Sequence, residues 1–191
     1  MRKYISLIYL TMVYLFLLVP MLIVVISSFN SAIAFGSDFE TFTFHWYREL
    51  FRHDEFANSM WISTKIGLTA SILASLFGIP LSILLVRFDF RGKEIIDSFS
   101  NLPLIIPQVA LSIAILQMFS LLKIRVDIIT LILAHTVIII PYVLRAVVSS
   151  IHFVDYSVEE AAMNLGANRF QTFLYITFPL IRSGVTAGFI L

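Results

Sequence analysis

Asn101, Gln108, Ser112 and Gln117 sit in an otherwise apolar stretch, and Glu159-Glu160-Ala161-Ala162 lies in a short polar segment between two apolar ones. The first group offers amide and hydroxyl hydrogen bonds to a solute crossing an apolar wall. The second sets carboxylates beside side chains small enough for a partner to approach closely. Bond-breaking chemistry finds less support. His45 and His53 have no further residues at metal-ligand spacing, so no metal site is expected. Gly92-Lys93 has the look of a phosphate loop, yet no Gly stands five residues before Gly92 and no Ser or Thr follows Lys93, so the Walker A pattern fails. His135 lies in an apolar stretch with no carboxylate inside any such stretch to accept its proton, and a hydrogen-bonded structural role is expected for it. Lys65 lies near the outer end of its stretch and is expected to snorkel.

The elements that must position these residues are set by composition. The 191 residues are 59% apolar and 13% charged, with net charge +1; mean hydropathy is +0.95. Soluble domains run about 45–50% apolar and about 25% charged, so this is a membrane chain. Nucleic-acid binding through basic charge is excluded, and the absence of Cys excludes a disulfide scaffold while leaving the redox compartment open. Crossing about 30 Å of hydrocarbon at about 1.5 Å per residue takes about 20 apolar residues. Four stretches qualify, over about 5–27, 60–86, 98–122 and 128–148, and a fifth opens at 180–191. The fold class expected is all-α, a polytopic helix bundle.

All 12 carboxylates, Asp38, Glu40 and Asp97 among them, lie outside the stretch interiors, where a charge would cost at least ~2.5–3.5 kcal/mol. The first stretch is too long for a signal peptide and has no cleavage site after it, so it reads as a retained anchor with its N-terminus inside. Alternation then gives the inner side eight basic residues (Arg2, Lys3, Arg87, Arg91, Lys93, Arg145, Arg169, Arg182) and the outer side four (Arg48, Arg52, Lys123, Arg125), in keeping with that orientation. In the outer loop, Phe44, Tyr47 and Phe51 fall on one face of a short helix, serving either a partner outside or an aromatic belt. Gly67, Ala70/Ser71, Ala74/Ser75, Gly78 and Ser82 form a small-residue stripe for close helix packing. Pro103 and Pro107 disturb the third stretch, whose Asn101, Gln108, Ser112 and Gln117 then either line a path or bond to neighbouring helices.

Segment 149–179 is expected on the cytoplasmic side. Ser157 and Glu160 have capping-box spacing, Gly166 is placed to end the helix they begin, and Asn168 can cap a second helix to about Phe178, with Pro179 starting the next crossing. Glu160-Ala161-Ala162, three residues, Gly166, nine residues, Ile176, one residue and Phe178-Pro179 resembles the E-A-A-x3-G-x9-I-x-L-P loop of permeases in binding-protein-dependent ABC importers, the MetI-like permeases. Six fixed positions over 20 residues carry this resemblance, with Phe178 in place of the usual Leu. Weaker likenesses to the spermidine/putrescine subgroup are Ser27-Ser28-Phe29-Asn30, Phe44-His45-Trp46-Tyr47, Arg87-Phe88-Asp89-Phe90-Arg91-Gly92-Lys93 and the Pro103 to Pro107 run. Relatives moving other solutes share much of that pattern.

The resemblance implies a pore-forming subunit of a prokaryotic inner membrane, paired with a second permease and seated on two ABC ATPase subunits, receiving solute from an extracytoplasmic binding protein. The helix around Glu159, Glu160, Ala161, Ala162 and Leu165, with Gly166, Ile176 and Pro179, would couple the chain to the ATPase; Asn101, Gln108, Ser112 and Gln117 would touch the path. The chain itself would be no enzyme and need no cofactor. The family continues through a full fifth and a sixth span, so a 191-residue chain is expected not to transport alone. Other readings are a permease for another small solute, a non-transporting membrane fragment, or an ion-gradient transporter; the last would favour acids inside the spans.

Overall fold

A computed structural model describes residues 2–31 and 41–191, so Asp38 and Glu40 lie outside the described residues. Those residues form helices, with an isolated bridge between Asn30 and Phe42 and no strand among them. The chain divides into two compact units, residues 1–61 and 62–191.

In the first unit, α1 (Arg2–Ser27) opens on Arg2 and Lys3 and is apolar over Ser6–Ser27, and its side chains from Leu7 to Ile26 are largely exposed. A short α2 (His45–Arg52) belongs to the same unit. Phe29 stacks on Phe42 with ring centroids 4.9 Å apart and meets Phe44 and Tyr47 at 5.3 Å each. The Trp46 indole N–H donates to the Asn30 carbonyl at 2.9 Å. Of the three aromatics expected on one face, Phe44 and Tyr47 gather around Phe29, whereas Phe51 packs against Phe56 at 6.0 Å.

In the second unit the core lies between α3 (Asp54–Arg87), α6 (Ile128–Ile151) and α9 (Phe178–Ile190). The small-residue stripe does bury: Ala70, Ala74, Gly78 and Ser82 are covered, although Gly67 is exposed. A β-carbon at Gly78 would stand 3.0 Å from Val143 Cγ1. The Ser82 hydroxyl donates to its own helix at Gly78 O (2.6 Å) and across to Leu144 O (3.2 Å) and is satisfied in the seam, whereas the Ser75 hydroxyl is buried without a partner. On the other side of α6, Gly184 and Gly188 let α9 approach until a β-carbon at either would strike α6 backbone. This Gly-x-x-x-Gly contact is the tightest in the unit and places Ile181 in the core.

The third stretch, expected as one crossing over 98–122 that Pro103 and Pro107 disturb, is broken in the middle. It is two helices, α4 (Lys93–Ile105) and α5 (Gln108–Leu121), bent by 106°. Pro107 drives Ile106 into extended backbone (ψ 131°) and has no N–H to continue the ladder. Among the described residues four helices are long and apolar enough to cross a membrane, or five if the bent pair is one span. α3 begins six residues before the expected 60, at Asp54, and α6 runs past 148 to Ile151.

The chain after Asn168 also differs from expectation. Arg169 to Ile190 is a continuous 22-residue apolar helix rather than two. It contains α8 (Arg169–Thr172), a π-helical turn (Phe173–Thr177) and α9. The Phe178 N–H reaches back five residues to Phe173 O. That wider turn accommodates Pro179, whose ring would crowd the carbonyl four residues earlier in a regular helix. Pro179 therefore continues a helix instead of starting one.

Candidate functional site

The polar segment between α6 and α9 is built around α7 (Tyr156–Asn164). Its N-cap is Asp155, whose carboxylate accepts the Ser157 N–H at 2.9 Å. This corrects the expected Ser157/Glu160 capping box: the helix starts earlier because Asp155 takes the capping position first. Hydrogen bonds from the Ser157 backbone and then its hydroxyl hold the Asp155 carboxyl below its ordinary value of 3.8. A group with a lowered folded value contributes stability above the ordinary carboxylate range and loses it as pH falls through the lowered value. Protection of the amides in the first turn of α7, measured against their intrinsic exchange rates, is therefore expected to fall only under strongly acid conditions, and already at neutral pH in an Asp155→Ala variant.

At the other end Gly166 adopts φ +96°, the left-handed region. Its N–H donates to Met163 O at 3.0 Å and the Ala167 N–H to Ala162 O at 3.1 Å, which closes a Schellman turn. Asn168 then caps α8 reciprocally with Gln171, each contact 2.9 Å. Both turn residues therefore act as their sequence spacing suggested.

The fixed ends decide which carboxylate faces where. Glu159 points inward, and its Oε1 accepts from Arg87 Nη2 at 2.9 Å, with side-chain exposures of only 10% and 12%. Arg87 also donates to Val154 O at 3.3 Å and lies 5.0 Å over the Tyr156 ring. The last turn of α3 thus grips α7. Nearby, Arg169 lies 5.7 Å over Phe88, and a cavity of about 150 Å³ separates these groups. Arg87→Gln is expected to destabilise by about 3 kcal/mol because it strands a nearly buried carboxylate. The Arg87→Gln/Glu159→Gln pair should lose much less than the summed single losses; thermal unfolding in detergent checks this, and additive losses would show no coupling.

Glu160 and Ala161 point outward with Leu165, which is 90% exposed, and Phe153 and Phe170 are exposed nearby. Ala162 and Ile176 are half-buried and Pro179 is exposed. The residues of the motif therefore divide between an anchor (Glu159), an outward face (Glu160, Ala161, Leu165), a turn (Gly166) and a supporting helix (Ile176, Pro179).

The four polar residues of the broken stretch separate. Asn101 Oδ1 accepts from Arg145 Nε, while Arg145 Nη2 donates to Asp97 Oδ1 at 3.0 Å. Gln108 Nε2 donates to Tyr142 Oη at 2.8 Å. Ser112 bonds back to Gln108 O at 2.8 Å and borders an apolar cavity with His135. Gln117 is exposed and joins none of these groups. His135 Nδ1 meets Leu131 O at 2.8 Å, the structural hydrogen bond expected. Among the described residues no three His, Cys, Asp or Glu stand together as metal ligands. Sequence reasoning missed both ion pairs. For Arg145 a local signal existed, since Asp97 and Asn101 are four apart on one helix face; for Arg87 and Glu159, 72 residues apart, none did.

Residues 74–191 match the family described as binding-protein-dependent transport system inner membrane component. The chain is 30% identical to the spermidine/putrescine transport system permease protein PotC of Escherichia coli K12, over 96% of this chain and 69% of that protein. It has the same identity to PotC of Haemophilus influenzae, over 94% of this chain and 69% of the relative. To the putrescine transport system permease protein PotI of E. coli K12 it is 33% identical, over 92% of this chain and 65% of the relative. The match begins within α3 and takes in the broken helix, α6, α7 and the Gly184–Gly188 seam, so the chain belongs to the family of binding-protein-dependent transport system inner-membrane components.

Proposed function

We propose that this chain is one permease subunit of an ABC importer for polyamines, paired with a second permease, served by an extracytoplasmic binding protein and driven by two cytoplasmic ATPase subunits. Its N-terminus lies inside, as the excess of Lys and Arg on that side suggests. The observation that carries the reading is α7: a short helix fixed from behind by Arg87–Glu159, with Glu160, Ala161 and exposed Leu165 turned away from the fold. An apolar side chain so exposed beside a carboxylate suits a groove on a partner. ATP-driven closure of the ATPase pair moves α7, and the Arg87–Glu159 grip passes that motion to α3 and so to the wall of the path. ATP hydrolysis belongs to the partner. The polyamine assignment rests on likeness to permeases named for spermidine and putrescine.

The test is reconstitution of the full-length permease with its partner permease, ATPases and binding protein in liposomes. Labelled spermidine is expected to enter only with ATP and to ignore ionophores. Uptake that follows an ion gradient without ATP would refute the importer reading; ATP-driven uptake of another solute alone would refute only the polyamine.

A further inference from the structure

An ion pair inside a membrane stretch marks a wet or protein-lined place, because hydrocarbon does not tolerate its charge. Two charge pairs bind the helices of the second unit, and they differ. Arg87–Glu159 is closed, at 12% and 10% exposure, whereas Arg145–Asp97 is half open, at 40% and 45%. Asp97 lies about one turn into α4, and Arg145 lies nearly two turns before the end of α6. With the N-terminus inside, both stand near the inner boundary of the hydrocarbon. One turn further out on α6, Tyr142 takes the hydrogen bond from Gln108, just past the Pro107 break. One side of α6 thus holds both halves of the broken helix through polar groups, and Asp97, Asn101, Arg145, Tyr142 and Gln108 make a single strip. Its open half stands at that polar boundary rather than deep in hydrocarbon, where water and a passing solute can reach it.

We infer that the Asp97–Arg145 pair is an exchangeable lock at the inner mouth of the path, where an ammonium group of the passing solute takes the place of the Arg145 guanidinium on Asp97. This deepens the reading of the chain as a polyamine permease and rests on it. The Asp97 carboxylate and Asn101 Oδ1 already receive two N–H donors from Arg145. A primary ammonium carries the same charge and three donors, and so satisfies the same two acceptors. Because the pair is half solvated, releasing Arg145 into the open side leaves no buried, unpaired charge. The single carboxylate so placed also supplies the acid that an apolar path for a polycation otherwise lacks.

The experiment uses the full-length complex in liposomes and reads spermidine uptake beside ATPase stimulation by the binding protein, which reports an intact assembly. Asp97→Asn is expected to lower uptake by about tenfold or more with stimulation retained, and Asp97→Glu to keep most of the uptake. The neutral pair Asp97→Asn/Arg145→Gln is the discriminating variant. A merely structural salt bridge predicts its recovery, since neither charge is left alone; the lock predicts uptake as low as in Asp97→Asn. Recovery in the double variant, or wild-type uptake by Asp97→Asn, overturns the lock while leaving the polyamine reading standing. No spermidine uptake by the wild-type complex overturns that reading and the lock together.

Discussion

Glu160→Lys is expected to cut solute uptake at least tenfold, a loss of about 1.4 kcal/mol or more in coupling, while the chain still inserts and the partner ATPase still turns over. The reason is placement. Glu160 is exposed and makes no hydrogen bond or ion pair among the described residues, so reversing its charge leaves α7 and its anchors intact. Only a surface presented to another protein registers the change. Gly166→Asp reaches the same face by another route. Nothing lies within 4 Å of a β-carbon built there, so the obstacle is φ +96° rather than space. A side chain in the left-handed region costs roughly 1–2 kcal/mol, and relaxing it swings Leu165 off its position. Transport at the wild-type rate by both variants, with ATPase assembly normal, would show that this face is not the coupling surface.

The second large effect is on folding. Gly184→Val places a β-carbon 2.5 Å from Ser150 Cβ and 2.6 Å from the Ala146 carbonyl oxygen. Neither α6 nor α9 can yield at that point without shifting backbone, since one turn on the helices are so close that a β-carbon at Gly188 would stand 2.9 Å from Val143 Cα. Overpacking typically costs about 1–3 kcal/mol and more where backbone must move, so the upper end or beyond is expected, read as loss of folded protein in detergent. Gly67→Ala is the control: nothing lies within 4 Å of it, and it should be neutral or gain up to about 1 kcal/mol of helix propensity. Equal melting of the two variants would deny the seam its role.

The sequence was informative where a single residue type answers a local demand. Gly166 had to be the turn because few other residues accept φ +96° after Leu165, and Asn168 with Gln171 had the spacing for a reciprocal cap. The apolar lengths marked the membrane helices, and Pro107 marked a disturbance. Its 106° angle was not readable, because it depends on what α6 offers to both halves. The π turn before Pro179 was equally hidden, since its registry is set by packing against α6 and not by the residues Phe173 to Thr177. The start of α7 misled for a local reason: Asp155 and Ser157 are both capping residues, two apart, and only the distant Arg87 favours the register that aims Glu159 inward. Long-range pairing is the part of the site that composition and spacing do not encode.

The chain has no cysteine, so a single Glu160→Cys substitution gives one reporter in it. Spheroplasts and inside-out vesicles carrying the assembled transporter are treated in separate samples with a membrane-impermeant maleimide or with a thiol-reactive photocrosslinker. Labelling from the cytoplasmic side alone, with the crosslinked partner being the ATPase, is the expected result; labelling from the outer side would contradict the proposed topology and the coupling role of α7 together.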